Sequence, residues 1–200
     1  MNRILVLYPR EFKCQSKFDR KLSKITSNLD DYMIVFFDDH NDLIQTYISS
    51  CNPLKICDVV NCLDTIKPTH AVIFDDGTNF SEIIDKLSIS KVPTRNINIE
   101  ITRVVNIKRN PEYKVMSDSS TYQYIGRGSY WGNPYSIGGD GDRNEVIRKF
   151  EYDFIYNKFP NKEKDAVHKL KGKILGCFCK PDKCHGDVLA DYLNSYDDGE

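Results

Sequence analysis

The sequence predicts an α/β protein of two domains, an open parallel sheet with helices followed by a small α+β domain. Three observations predict it. Short apolar, partly β-branched runs alternate with helical patterns as far as residue 101, and such alternation implies parallel strands. Residues 106–120 lack sustained periodicity and are rich in turn formers, as linkers are. Beyond them, glycines, three cysteines and the single tryptophan gather in one stretch. The boundaries that follow are 1–105 for the sheet domain, 106–120 for the linker and 121–200 for the second domain.

Strands are expected at Ile4–Tyr8 and Met33–Phe37, apolar runs that end in turn or acidic residues. Between them Phe18, Leu22, Ile25 and Leu29 recur at spacings of three and four, one face of a helix. Leu43, Ile44, Tyr47 and Ile48 suit a second helix, and Val59, Val60, Leu63 and Ile66 a third. Ala71–Phe74 supplies a further strand, Ser81 an N-cap for a helix with Ile83, Ile84 and Leu87, and Asn96–Ile101 an alternating edge strand. In the second domain Asp142, with Glu145 three residues on, opens a helix bearing Val146, Ile147, Phe150, Phe154 and Ile155. Asp140, Asp142, Asn144 and Glu151 also fall at calcium-loop spacing, but Glu145 stands where such a loop needs glycine, so that reading fails. The basic run from Lys162 to Lys173 reads as a solvated face, and the acidic end Tyr196-Asp-Asp-Gly-Glu as a frayed terminus.

Composition limits the function. The chain is 40% hydrophobic and 28% charged, with no apolar run near the roughly 20 residues that cross a bilayer, so no membrane partner is expected. No small-residue cleavage site follows the apolar start, which leaves the protein in a cytoplasm. The net charge of -1 excludes a global basic excess for nucleic acid and leaves only a local patch. Abundant Asn, Lys, Ile, Asp and Tyr point to an AT-rich genome such as a phage's. Seven cysteines, an odd number with three inside eight positions, argue against a disulfide framework and for a metal.

Cys177, Cys179, Cys184 and His185 have the spacing C-x-C-x4-C-H, a sulfur and nitrogen set that zinc prefers. Pro181 and Asp182 supply the turn that returns Cys184 to the other two. A helix starting near Gly186 and Asp187, carrying Val188, Leu189, Tyr192 and Leu193, aims free N–H groups at sulfur. His185 is either the fourth ligand of a closed site or a group facing substrate, with water completing a catalytic one. Cys14, Cys51, Cys57 and Cys62 have no histidine at ligand spacing and read as ordinary thiols.

Upstream, Tyr124-Ile-Gly-Arg-Gly-Ser-Tyr-Trp-Gly-Asn-Pro-Tyr joins close-approach glycines to the Arg127 fork and the rings of Tyr130 and Trp131. One reading is a nucleotide-shaped pocket. The other places Trp131 in the domain core, with Gly132, Asn133 and Pro134 making a turn.

With Tyr124-Ile-Gly-Arg, Trp131-Gly-Asn-Pro, Gly172-Lys-Ile-Leu-Gly-Cys-Phe-Cys and Cys184-His-Gly-Asp-Val-Leu, residues 122–195 resemble the domain-of-unknown-function family 4326 of phages and bacteria, which has no settled activity to transfer. The first half is similar to the Rossmann-like family of lysine-decarboxylase-named nucleotide hydrolases and DNA-processing proteins. Tyr8-Pro-Arg-Glu-Phe and Thr69-His-Ala-Val-Ile-Phe-Asp-Asp-Gly-Thr-Asn occupy that family's nucleotide-binding positions. The resemblance implies a Rossmann-like fold. Asp75 and Asp76, however, stand where phosphate-cradling glycines belong and repel phosphate.

The expectation is an accessory protein of nucleotide or nucleic-acid metabolism, phage-type and in the host cytoplasm. Its zinc domain would meet a nucleotide-like ligand through Arg127, Trp131, Asn133 and Asp187. The alternative is a non-catalytic, zinc-structured module that binds a host protein or single-stranded nucleic acid. No catalytic residue is assigned, and the deaminase pattern of His-x-Glu before Pro-Cys-x-x-Cys is missing.

Overall fold

In the computed structural model the first alternation folds into a five-stranded parallel sheet of order β3-β2-β1-β4-β5. Its strands are β1 (Asn2–Leu7), β2 (Tyr32–Phe36), β3 (Cys57–Val59), β4 (His70–Asp75) and β5 (Thr94–Asn98). The structure describes residues 1–199 except 30, 52–56, 60–62, 64–66, 114 and 115, with backbone alone at 51 and 57–59. It divides into two units, Met1–Ile99 with Ser195–Glu200, and Glu100–Asn194.

In the first unit β1 lies between β2 and β4, with Ile4 opposite both Ile34 and His70. A central parallel strand is covered on both faces, so it carries no polar alternation, and Ile4, Leu5, Val6 and Leu7 are all buried. Helix α1 (Gln15–Thr26) buries Phe18 and Leu22 from the expected stripe, while Leu29 lies beyond its end. Helix α2 (Leu43–Cys51) buries all four predicted residues, Leu43, Ile44, Tyr47 and Ile48. Phe12 and Phe18 stack on Phe74 with centroids at 5.3 and 4.9 Å. Each ring withdrawn from water in this way stabilises the fold by about 1.5–3 kcal/mol.

Helix α3 (Ser81–Ile89) begins with Ser81 inside it, so the N-cap is Phe80 and not the expected serine. The edge strand β5 starts two residues earlier than predicted, because pairing with β4 sets Thr94 opposite Ala71. The third predicted helix lies outside the described residues, apart from Val59, which closes β3, and Leu63. The acidic tail is docked in this unit at Asp197 and Asp198, and is not frayed there. Arg20 donates to both oxygens of Asp197 at 2.8 and 2.9 Å, and Lys17 reaches Asp198 at 2.8 Å.

In the second unit β6 (Arg103–Asn106), β7 (Tyr122–Tyr124) and β8 (Ile174–Cys177) form a parallel sheet of order β6-β8-β7. β6 thus joins this unit, although the sequence placed most of it in the first domain. Pro111–Tyr113 forms a 3-10 turn inside the expected linker. Helix α4 (Arg143–Ile155) starts as predicted, with the Asp142 carboxylate accepting from the Glu145 N–H at 2.8 Å. It buries Val146, Phe150 and Phe154, and α5 (His185–Ser195) adds Leu189 and Leu193 to the same core. The Lys162–Lys173 run is only partly solvated. Its 3-10 helix Lys164–Leu170 buries Val167 and Leu170, and Lys162 donates inward to the Gly132 carbonyl at 3.0 Å. Among the described residues no helix is long and apolar enough to cross a membrane.

Candidate metal centre and adjoining cavity

The three parallel strands of the second unit deliver their carboxyl ends to one place, where open α/β sheets bind ligands. Asn106 ends β6, Tyr124 ends β7 and Cys177 ends β8. After Cys177 the chain turns at the predicted Pro181 and Asp182, with the Asp182 N–H on the Cys179 carbonyl at 3.1 Å. Asn106 holds this knuckle from the neighbouring strand, its Nδ2 donating to the Phe178 carbonyl at 3.0 Å and also to that of Lys180.

The knuckle brings three of the four predicted donors, Cys177, Cys184 and His185, into one group, with Cys179 beside Cys177. Cys177 Sγ and Cys179 Sγ are 3.7 Å apart, and Cys184 Sγ is 3.8 Å from His185 Nδ1. The donor atoms of Cys177, Cys184 and His185 all lie within 4.8 Å of one another. A tetrahedral zinc with bonds of about 2.3 Å to sulfur has edges of about 3.8 Å, so these separations match its size. His185 Nε2 lies 2.9 Å from the Ile125 carbonyl. A carbonyl only accepts, so Nε2 carries the proton, and burial holds the ring below its ordinary pKa and therefore neutral. Nδ1 is then the free lone pair turned toward the sulfurs, with its partner nitrogen oriented as in many metal-ligating histidines.

Three thiolates at this spacing repel one another. Hydrogen bonds from Cys177 and Cys184, helped by Arg143, hold the Cys179 thiol far below its usual value. The contact with Cys179 pushes Cys177 up, and those with Cys177 and Cys179 push Cys184 up. A divalent cation is the partner that lets all three ionise together, so the donor set fits one. The helix start expected after the motif is in place. The Gly186 N–H points to Cys184 Sγ at 3.4 Å, and Asp187 Oδ2 accepts from the Cys184 N–H at 3.0 Å. A Cβ on Gly186 would stand 2.5 Å from Ile125 Cδ1, so a larger residue there needs the Ile125 side chain to shift.

Beside the knuckle lies a cavity of about 210 Å³ that the Gly126–Tyr135 loop closes from the other side. Arg127 and Asn133 line it together with Cys177, Cys179, Cys184 and His185. The loop folds tightly because a Cβ at Gly132 would lie 2.6 Å from the Gly126 carbonyl oxygen. Asn133 Nδ2 ties it to α4 through the Val146 carbonyl at 3.1 Å. Two predicted ligand contacts are placed elsewhere. Trp131 is buried in the core, its ring edge-on to Phe154 at 6.4 Å, which is the core reading of that residue. Asp187 is engaged by Cys184 and by Lys180 at 2.6 Å, and does not line the cavity.

The sequence reading missed Tyr135, Arg143, Phe178 and Lys183, which also line the cavity. Arg143 follows a helix cap and carries no motif of its own. Phe178 and Lys183 lie inside the cysteine spacing, so an inspection of its variable positions would have found them.

The carboxyl ends of β1 and β4 in the first unit are arranged differently. The Asp39 carboxylate accepts from the Ile44 and Gln45 N–H groups of α2 at 3.1 and 2.9 Å and from the Tyr8 hydroxyl at 2.5 Å. Asp75 accepts from the Gly77 N–H at 2.9 Å, and Asp76 from the N–H groups of Thr78 and Asn79 at 3.2 and 3.3 Å. The amides at the start of α2 and in the turn after β4 are thus occupied by the chain's own carboxylates, whereas the start of α1 carries no side-chain cap.

Residues 1–105 match the minimal SLOG domain, and the chain belongs to that family, whose domains are Rossmann-like and nucleotide-related. Residues 105–195 match the domain of unknown function 4326. The chain is also similar to an uncharacterized 12.4 kDa protein of the nrdA-td intergenic region of Enterobacteria phage T4, 43% identical over 72 residues. That likeness covers 35% of this chain and 65% of the phage protein, so the chain spans just under two thirds of its relative's length. No solved structure matches.

Proposed function

We propose that the second unit is a zinc-ordered module that recognises a nucleotide-like ligand, within a phage-type accessory protein of nucleotide or nucleic-acid metabolism acting in the host cytoplasm. The observation that carries this reading is the single cavity lined at once by the knuckle and by Arg127 and Asn133 of the glycine-rich loop. The match to a nucleotide-related family and to a phage protein supports the setting.

Zinc has a positional role in this reading. Cys177, Cys179, Cys184 and His185 would hold it, and a site closed by four protein ligands keeps no place for a reactive water. Recognition is then performed by the loop beside the metal. The test is metal analysis of the purified protein followed by calorimetric titration with a nucleotide panel. About one zinc per chain, and binding weakened by Arg127→Ala in a folded protein, are the expected results. Absence of stoichiometric metal, or affinity indifferent to Arg127, defeats the reading.

The alternative of a module that binds single-stranded nucleic acid or a host protein has one observation in its favour. Tyr152 in the last turn of α4 and Tyr156 at its C-cap are exposed, with centroids 4.7 Å apart and Lys158 Nζ 4.5 Å from the Tyr152 ring. Bases stack on such pairs. Salt-dependent binding of an oligonucleotide that Tyr152→Ala abolishes and Arg127→Ala spares would favour this alternative.

A further inference from the structure

We infer that the cavity beside the knuckle takes the base of its ligand, and that it selects a base with two neighbouring acceptors, a guanine or a cytosine edge, over adenine or uracil. The inference rests on the nucleotide-like ligand proposed above and concerns which part of it enters and which bases qualify. It is carried by the size of the cavity, by its apolar walls and by a polar edge that only donates.

At about 210 Å³ the cavity is smaller than the roughly 300–1,000 Å³ of pockets that enclose whole drug-sized ligands. It therefore encloses about one ring system and leaves the rest of the ligand at its mouth. Ile137, Val146 and Ile147 give it apolar walls, and the side chains of Tyr135 and Phe178 give flat ones. Phe178 is exposed, with Tyr124 edge-on to it at 6.3 Å and Lys108 Nζ 5.6 Å from its ring. An aromatic face left open in this way is one on which a base stacks.

Net charge does not choose the ligand. Three cations line the space, Arg127, Arg143 and Lys183, and each is set against an anion. Arg143 is paired with Asp182 at 3.2 Å. The Ser136 N–H and hydroxyl, and then the charges of Lys149 and Arg127, hold the Asp140 carboxyl below its ordinary range, so Arg127 has a carboxylate in its field. Lys183 shares the cavity with the metal donors, where three thiolates around a divalent cation keep one net negative charge. A phosphate brought here meets about as much negative charge as positive, whereas a neutral ring meets no such repulsion.

Hydrogen bonding does choose. The Asn133 amide serves the loop itself, with Nδ2 on the Val146 carbonyl at 3.1 Å and Oδ1 accepting from the Tyr135 N–H at 3.0 Å. The Tyr135 hydroxyl donates to Asp153 at 2.5 Å, and Arg143 donates to the Lys183 carbonyl at 3.3 Å and is hydrogen-bonded to the Cys179 sulfur. Arg127 is committed least, by one long hydrogen bond of 3.4 Å to the Tyr135 carbonyl, and Lys183 is exposed. Both side chains donate and neither accepts. The planar fork of an arginine matches two acceptors side by side. Guanine offers O6 beside N7, and cytosine O2 beside N3. Adenine instead sets an amino donor beside N7, and uracil an N–H between its two carbonyls.

Calorimetry on the full-length, metal-loaded protein tests the inference. The probes are guanosine, cytidine, adenosine and uridine, together with their 5′-monophosphates. The uncharged nucleosides are the critical probes, since they report the base alone. Guanosine or cytidine should bind about tenfold more tightly than adenosine and uridine, and the monophosphates should keep that order. Whichever of the two binds more tightly names the edge that is read. Arg127→Lys keeps the charge and loses the fork, so it should remove the preference. Arg127→Gln sets an acceptor beside a donor and should turn the preference toward adenosine. Metal content near one per chain shows that each variant is folded. Adenosine or uridine binding as well as guanosine and cytidine, or a preference that survives Arg127→Lys, would overturn the edge selectivity. Monophosphates that bind while nucleosides do not would overturn the entry of the base and leave nucleotide recognition intact. If none of the probes binds, both readings fall.

Discussion

Each unit of this protein presents the carboxyl ends of parallel strands, and the two have treated that position in opposite ways. In the first unit Asp39, Asp75 and Asp76 fill the backbone amides at the start of α2 and after β4, and Tyr8 is tied to Asp39. In the second, the strand ends hold a group of three soft and borderline metal donors, with Cys179 beside it, next to a cavity lined by Arg127 and Lys183. The same edge of a sheet thus serves as a closed scaffold in one case and as a candidate ligand site in the other. The difference lies in the charge placed on the loops and not in the strand arrangement. A fold-level likeness to nucleotide-binding domains therefore does not locate the ligand.

The contrast is sharpened most by removing the metal. Cys184→Ala, or chelation of the native protein, should unfold the second unit, because sites of this kind contribute on the order of 10 kcal/mol to folding. Circular dichroism melting should then lose one transition while the parallel sheet of the first unit still melts cooperatively. A second unit that stays folded without metal would break the comparison.

Trp131→Ala comes next. As a core residue it should cost about 3–5 kcal/mol of stability, with affinity falling only as the folded fraction falls. Full stability together with lost nucleotide affinity would return Trp131 to the cavity.

His185→Cys separates the two duties of that residue. A fourth thiolate replaces the imidazole, but the donor to the Ile125 carbonyl beside Gly126 and Arg127 disappears. Metal content should stay near one per chain while nucleotide affinity falls about tenfold, the cost of one hydrogen bond that positions a charged group. Unchanged affinity would show that the loop holds its position without the metal centre.

In the first unit Asp76→Ala should destabilise by about 1 kcal/mol, the cost of losing its turn hydrogen bonds to Thr78 and Asn79. It should also let phosphate raise the melting temperature, an effect expected to be absent in the native protein. Equal stabilisation of both proteins by phosphate would show that the native amides are already open.

The smallest effect concerns the tail. Hydrogen bonding to Arg20, and then to Ser16 and the Gly199 N–H, holds the Asp197 carboxyl well below the usual carboxylate range. Its docking therefore stabilises above the ordinary carboxylate pKa of about 4 and is lost as pH falls through the lower folded value. Amide exchange of residues 196–199 should accelerate as that value is approached, and Asp197→Asn should show the fast rate at every pH.

How legible each feature was follows from its range along the chain. The buried strand Ile4–Leu7 and the stripe Phe18–Leu22 could be read directly, because burial leaves an unbroken apolar run in the one and a spacing of four in the other. The Asp142 cap was legible for the same reason, its partner being three positions away. Ser81 misled because a capping residue type two positions before an apolar pair does not say where helical geometry begins. The tail misled because its partners, Lys17 and Arg20, lie almost the whole chain away.

By itself the sequence determined the alternation of elements and the grouping of Cys177, Cys179, Cys184 and His185, since nine adjoining residues with a turn among them have few ways to avoid meeting. Only the tertiary structure decided that Arg127 and Lys183 share a cavity, that Trp131 turns away from it, and that the first unit's amides after β4 are filled from within. These outcomes depend on which side chains distant segments bring to one point, and on the competition for burial there, neither of which leaves a period or a spacing to read.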